Sequence, residues 1–525
     1  MGMAGLLWPP AARGAGSVCE RPSLGACHTL GMPPETSTPS ARVRAETAYE
    51  TIIGIEIHVQ LRTASKMFCG CSTNFQEAPP NSHTCQICLG MPGTLPVINR
   101  IAVRHVLATG LAIGGAIPDV TRWDRKNYFY PDLPKGYQIS QYDLPLTAGG
   151  SLTFDTSEGP VSVAITRAHL EEDTARLIHR ADDSGRQVSL VDFNRSGTPL
   201  MEIVTEPVIR TAEVARRYAE ELRLILLTIG ASEAAMENGQ MRVEANVSLR
   251  PVGREEFGTR VEVKNMNSFR SVERAIDHEV QRQRHALDTG EPVVQETRGW
   301  DDDRGVTYRM RVKETSDDYR YFPDPDLPPL RVDPAWLEEI RASLPELPAA
   351  RRQRYQSELG LSAYDAGVIV VAGGGYFDTA IAAIPGLDVK KTANLFSKLA
   401  LRVLKSEPGL LAKRDGAELA RISKLVSAGD LSSSNAEQVY ERHLRSGEPV
   451  DEIVAALGLR QISDEGALRE AVSRVLAANP AAVADVAAGK TQALGFLTGQ
   501  VMKETRGQAN AARVGELLRE LVGGG

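Results

Sequence analysis

The 525-residue sequence contains no run of about 18 uninterrupted apolar residues, so no segment is expected to cross a bilayer as a helix. It also lacks a basic excess, because 60 Lys and Arg against 67 Asp and Glu leave a net charge of -7. That balance argues against a surface coated in positive charge, while leaving room for a local basic groove facing a polyanion. No secretory leader is expected either, since the apolar AGLLW near the start is too short and ends at prolines. Cysteine is scarce, with six in the whole chain. A long chain without a secretory leader is expected to work in a reducing compartment, where disulfides are rare. With 42% hydrophobic residues the sequence can bury several cores, and its length predicts about two to four domains.

Residues 1–48 are rich in Gly, Pro, Ala and Ser without sustained periodicity and are read as a disordered or targeting arm. An organellar transit peptide and an overextended start, with Met32 nearer the true one, are both open. Cys19 and Cys27 within it receive no role.

Beyond the arm, alternation predicts strands. In IGIEIHVQL, Ile53, Ile55, Ile57, Val59 and Leu61 point one way and Gly54, Glu56, His58 and Gln60 the other. MRVEANVSLR repeats the pattern, setting Met241, Val243, Ala245, Val247 and Leu249 against Arg242, Glu244, Asn246, Ser248 and Arg250. TRVEVKN adds Arg260, Glu262 and Lys264 opposite Val261 and Val263. An antiparallel sheet with one solvated face accounts for each strand alone. Together their Glu, His, Asn and Arg side chains suit a divalent metal and phosphate better than plain solvent.

Three further segments join this set. HLEEDTARLIH carries Glu171, Glu172 and Asp173 after a strand-like run, read either as solvent-exposed acids or as part of a magnesium site. DFNRSGTPLMEIVTEP places Asn194 and Arg195 before a turn and Glu202 after it; the Arg is suited to bidentate contact with phosphate or carboxylate, with a surface ion pair as the alternative. RKNYFYPDLPKGYQIS, residues 125–140, follows neither a helix period nor a strand period.

Four cysteines form the most specific local signal. Cys69 and Cys71 make a C-x-C and Cys85 and Cys88 a C-x-x-C, thirteen residues apart. Two such knuckles brought together supply four thiolates to tetrahedral, structural zinc, which is favoured here over a disulfide framework. His83 inside the loop is read as a bystander.

The motifs GIEIHVQL, the four cysteines, KNYFYPDLPKGYQISQYD, HLEEDTA, DFNRSGTPLMEIVTEP, RVEANVSL, VEVKNMNSF, YRYFPDPDLPPL and GFLTGQVMKETRGQANA, in this order, resemble one family. It is the B subunit of the aspartyl/glutamyl-tRNA amidotransferase, the GatB family, and the resemblance runs from about Thr51 to the C-terminus. It implies an α+β fold: a cradle domain with an antiparallel sheet similar to glutamine synthetase at 49–345, containing the zinc knuckle at 69–88. A helical domain at 346–415 and a helical, tRNA-binding tail at 416–525 follow. It also implies the reaction. ATP, with Mg2+, phosphorylates the side-chain carboxylate of Glu or Asp misacylated on tRNA(Gln) or tRNA(Asn), and ammonia delivered by an amidase, the A subunit, displaces the phosphate. A small C subunit completes a heterotrimer.

Carried over by motif, Glu56, His58 and Glu171 or Glu172 are the expected Mg2+ ligands, with Glu202 and Glu244 as further acidic candidates and Arg195 and Lys264 countering phosphate charge. Asn194 joins Arg195 as a nucleotide-site candidate. Lys126, Tyr128, Lys135 and Tyr137, in a loop stiffened by Pro131 and Pro134, are expected to wall the site that receives ATP and the tRNA 3′ end. The competing use of that loop is a buried aromatic staple.

A helix from Thr211 to Gly230 reads as scaffold, and the chain after Asp333 reads as helical, with breaks near Gly373 to Gly375, Pro385, Pro408 and Gly429. Basic faces in KKTANLFSKLALRVLK and KETRGQANAARV suit either solvent or tRNA. Two rival functions are a zinc-containing tRNA-binding protein without chemistry and a free-standing ammonia-dependent ligase. The acidic strand faces count against the first, and an RNA-suited tail against the second. The expected compartment is the bacterial cytoplasm, or an organellar matrix if the arm is a transit peptide, with no membrane partner.

Overall fold

Ile53, Ile55, Ile57 and Val59 do alternate with Glu56, His58 and Gln60 along a single strand, and that strand lies inside the main sheet. The fold comes from a computed structural model that describes residues 48–312, 319–404, 407, 410–411, 414–460, 465–487, 490–505 and 508–523. The expectations for residues 1–47, Lys405, Pro408, Arg506 and Gly507 lie outside the described residues.

Nine strands form the main sheet: β1 Tyr49–Gln60, β2 Thr147–Ala148, β3 Ser151–Thr156, β4 Gly159–Glu172, β5 Pro199–Thr205, β6 Met241–Pro251, β7 Val261–Met266, β8 Glu296–Asp301 and β9 Val306–Val312. Their spatial order is β9-β8-β7-β6-β1-β5-β4-β2, with β3 paired to β4. Every pairing is antiparallel except β7 with β8, which is parallel. The antiparallel sheet expected from the sequence is therefore mixed. A helix lies between those two strands in the chain, and a parallel pair needs such a crossover.

The apolar face carries the core. Ile53, Ile55, Ile57 and Val59 are each at most 1% exposed. They pack under α1 (Arg100–Ala112), α2 (Ala212–Thr228) and α3 (Phe269–Thr289), which contribute Val106, Tyr218 and Val272 among others. Each such aliphatic side chain stabilises the fold by about 1.5–3 kcal/mol. α2 starts where the sequence places it, with the Thr211 hydroxyl accepting from the Val214 N–H.

The segment without a visible period is a hairpin. Asp124–Asn127 pairs antiparallel with Tyr137–Ser140, and Phe322–Pro323 adds a third strand beside Asp124 and Arg125. Strands of four residues are too short to display a period of two.

Beyond Arg331 every regular element among the described residues is a helix. A second hydrophobic cluster runs from Tyr355 to Val454 and a third from Leu468 to Leu518, so the division expected at 415/416 falls inside the second. Ala363–Ala383 corrects the expectation that no segment is long and apolar enough to span a bilayer, since this helix is both. It bends at Gly373 (φ 148°), so the expected break is a kink. Its Ile369, Val370 and Phe377 lie in the second cluster, and its Asp378 is paired with Arg351 and Arg354.

Candidate active site

Cross-strand register builds the site on the face opposite the helices. His58 on β1 stands directly across from Glu202 on β5, and Glu202 directly across from His169 on β4. Glu56 and Glu171, each two residues from a member of that row, share its side of the sheet. His58 Nε2 lies 3.3 Å from Glu202, 3.6 Å from Glu171 and 3.6 Å from Glu56; His169 Nε2 lies 3.6 Å from Glu202. Donor atoms of Glu56, His58 and Glu202 fall within 4.8 Å of one another, as do those of His169, Glu171 and Glu202. The carboxylate oxygens suit hard divalent cations, and the imidazole nitrogens suit borderline ones.

Burial and mutual charge divide the protons unequally. Burial lowers His58, but its hydrogen bond to Glu202 and the surrounding carboxylates win and raise it from 6.5 to about 9. Burial and then the Glu202 charge push Glu56 up to about 7. Glu171 is raised by the same two causes, whereas Glu202, despite burial, is held well below the usual range by the hydrogen bond and charge of His58 and by the Lys126 charge. Burial drops His169 to about 3, so it is a neutral imidazole.

Glu171 and Glu172 part company because adjacent strand residues face opposite sides. Glu171 joins the histidines and accepts from the Ser140 hydroxyl at 3.1 Å. Glu172 pairs instead with Lys135 and accepts from the Ile139 N–H at 3.0 Å. These contacts seat the hairpin over the end of β4. Lys126, on the hairpin, lies over the Tyr319 ring at 5.1 Å. Burial would lower its pKa, but the charges of Glu171 and Glu202 and the Tyr321 phenol hold it above the usual lysine value. Tyr128 meets Tyr319 edge-on at 6.0 Å, and the guanidinium of Arg125 lies 4.3 Å over Tyr137. YRYFPDPDLPPL thus packs against the hairpin. At the tip, Phe129 and Tyr130 are exposed.

Glu244 stands directly across from Glu56, whereas Asn194 and Arg195 make their contacts outside the His–Glu cluster. Lys264 is 2.6 Å from Glu244 and 3.5 Å from Glu262, so both Lys264 and Glu244 already have opposite charges beside them. Arg195 donates to the carbonyls of Thr174 at 2.9 Å and Ala175 at 2.8 Å. The turn after it holds, with Thr198 N–H donating back to the Arg195 carbonyl at 3.0 Å. Asn194 is buried and serves the cysteine loop: its Oδ1 accepts from His83 N–H and its Nδ2 donates to the Pro79 carbonyl, both at 2.7 Å.

Cys69, Cys71, Cys85 and Cys88 are unbridged, and their sulfurs lie within 4.8 Å of one another. Tetrahedral Zn–S bonds of about 2.3 Å require sulfurs roughly 3.8 Å apart, so the set fits the ion. The Cys85 N–H donates to Cys88 Sγ at 3.1 Å. His83 is not among the four, as read from its place in the loop.

A family model described as GatB/GatE catalytic domain matches residues 51–338, and one described as GatB domain matches residues 375–522. A Moorella thermoacetica protein, named as the B subunit of an aspartyl/glutamyl-tRNA(Asn/Gln) amidotransferase, is 50% identical over 477 residues, 90% of this chain and 99% of its own. The chain belongs to the amidotransferase B-subunit family. Proteins of the same name from Anaeromyxobacter sp. and Picosynechococcus sp. are 49% and 46% identical, over 90% and 91% of this chain and 99% of each of theirs.

Three features of this member of the B-subunit family escaped the sequence reading. His169 was hidden beside the acidic triplet, although its i, i+2 spacing from Glu171 was a usable signal. Lys66, 1% exposed, donates to the His83 carbonyl at 2.7 Å and approaches Cys88 Sγ at 3.7 Å; a lone Lys before the cysteines gave no hint. Asp173 gathers Gln60 at 2.8 Å and Arg242 at 3.2 Å from two other strands, a contact no local pattern announces.

Proposed function

We propose that this chain is the carboxylate-activating component of a tRNA-dependent amidotransferase complex. In this reading it phosphorylates, with ATP, the side-chain carboxylate of Glu on tRNA(Gln), Asp on tRNA(Asn), or both. Ammonia released by an amidase partner displaces the phosphate, and a small third partner holds the two together. The observation that carries the reading is the convergence of two histidines and three glutamates from three adjacent strands. Burying that many carboxylates together is costly unless they answer a positive charge.

Glu56, His58, Glu171 and Glu202 are the residues that would hold Mg2+, with His169 completing a second group. The ion, when bound, neutralises phosphate oxygens and orients them. His58 gives up a proton to take part, and neutral His169 needs to give up none. Lys126, kept cationic by Glu171 and Glu202, meets the phosphoryl group from the hairpin side. Transfer makes a poor acyl donor into one with a good leaving group, so positioning and charge compensation are the protein's main tasks.

The sheet serves as the floor of a cradle similar to glutamine synthetase, the four-cysteine knuckle holds structural zinc, and the helical half contacts tRNA. Its place of work is the bacterial cytoplasm or an organellar matrix. A zinc-containing tRNA-binding protein without chemistry leaves the His–Glu cluster without a purpose. The deciding experiment purifies the chain with its amidase and small partners and supplies magnesium, glutamine and each misacylated tRNA. ATP cleavage with amidated product supports the proposal and ranks the substrates. Tight tRNA binding without ATP cleavage leaves the binding-protein reading in its place.

A further inference from the structure

We infer that Asn265 and Tyr308 form a subsite for the adenosine end of a nucleotide substrate. The inference rests on the phosphorylation reading and locates a part of the substrate distant from the reacting group.

The sheet supplies a continuous row leading there. Glu56 on β1 pairs with Glu244 on β6, Lys264 on β7 pairs with Gly299 on β8, and Gly299 pairs with Tyr308 on β9. Between β6 and β7 the register slips: Val243 faces Met266 and Ala245 faces Val263, so Lys264 and Asn265 together oppose Glu244. Strict alternation would send Asn265 toward the helices. The extra residue instead leaves Met266 buried there at 2% exposure, while Asn265 is exposed beside Lys264. Bulges next to sites commonly re-aim a side chain in this way. The backbone accommodates it with φ 63° at Asn265, a left-handed conformation that Asn adopts more readily than most residues.

Tyr308 meets Asn265 from the other side. Its neighbours Thr307 and Trp300 contact His278 on α3, so Tyr308 and Gly299 face away from the helices. A Cβ added at Gly299 would lie 2.6 Å from Tyr308 Cζ, so only glycine lets the ring rest on the backbone. The residue remains 41% exposed. Asn265 Nδ2 donates to the Tyr308 hydroxyl at 3.2 Å, fixing ring and amide together. Lys264 is occupied by Glu244 and Glu262, and the amide is the uncharged polar group next to it.

A ring supported on one face stacks a base on the other, and the Asn265 carbonyl oxygen accepts from an adenine amino group or a ribose hydroxyl. β7 lies two strands from β1, about 10 Å at the usual strand spacing. That separation leaves room for a phosphate chain or an aminoacyl group reaching back to the His–Glu cluster. Adenosine is the chemistry shared by the triphosphate and the 3′ end of tRNA, and kinetics tell them apart.

The test uses the full complex and measures KM for ATP and KM for misacylated tRNA separately. Tyr308→Ala is expected to raise one of them about tenfold, with kcat nearly unchanged, as loss of a stacked base does. Tyr308→Phe, which keeps the ring, is expected to remain close to wild type. Asn265→Gly, which keeps the left-handed backbone but removes the carbonyl acceptor, is expected to raise the same KM. A change in KM for ATP assigns the triphosphate's adenosine, and a change in KM for tRNA assigns the terminal one. Both values within twofold of wild type in Tyr308→Ala and in Tyr308→Leu, at unchanged melting temperature, overturn the subsite. Failure of the wild-type complex to cleave ATP sinks the phosphorylation reading instead.

Discussion

In the proposed magnesium site protons and the ion would compete for the same atoms, and the competition has a sign and a size. In the metal-free protein His58 is raised to about 9 and Glu56 to about 7, and coordination requires both to be deprotonated. Binding one ion between about pH 7 and about pH 9 therefore expels the His58 proton. Apparent affinity then rises about tenfold per pH unit, roughly 1.4 kcal/mol, and about a hundredfold across the window. Below the Glu56 value a second proton is expelled and the slope steepens. Without metal the trend reverses. Stability linked to His58 is fully present below its ordinary 6.5 and is lost as pH rises through about 9, and Glu56 adds a loss between 4.5 and about 7. Magnesium should thus raise the melting temperature little at mildly acidic pH and progressively more toward about pH 9. Melting curves across magnesium concentrations, with calorimetry in buffers of different ionisation enthalpy, measure affinity and proton release together. An affinity that stays flat over this window, with no proton passed to the buffer, would refute the reasoning. Glu202→Gln removes the hydrogen-bond partner that does most to raise His58, and so should flatten the slope.

Glu171→Gln should weaken magnesium binding at least tenfold by calorimetry, whereas Glu172→Gln, whose carboxylate is turned to Lys135, should leave it within about twofold. Metal analysis of the purified chain should find one zinc, and Cys88→Ser should lose it and lower the melting temperature. Asn194→Ala removes two hydrogen bonds to the cysteine loop and should cost about 1–3 kcal/mol in denaturant unfolding, with faster zinc loss to a chelator. Ile57→Ala, at a fully buried position, should cost about 2–5 kcal/mol in the same assay.

How much of this was legible depended on whether the cause was local. The alternation in β1 and β6 is written in consecutive residues, and it located Glu56 and His58 on the correct side before any neighbour was known. The cysteine spacing likewise carried its own geometry. β7 was legible only as far as Lys264, since a bulge changes phase without a distinctive residue type. The hairpin strands were invisible because four residues are too few to show a period of two, and their third partner, Phe322–Pro323, lies nearly two hundred residues away in the chain. Asn194 shows the reverse limit. Its residue type suited a phosphate, but its hydrogen bonds go to a loop more than a hundred residues earlier.

α2 belongs to two interiors at once. Ala215, Tyr218 and Leu222 sit beneath the sheet, while Leu224 packs against the cluster of the helical half and Glu221 is paired with Arg352. A recombinant fragment ending at 345 would keep its sheet but carry a scar: Leu224 stripped of its cover and an acid without its guanidinium. The two halves were therefore not built to be cut at that seam, and screens on the sheet half alone should include the helices that close over α2.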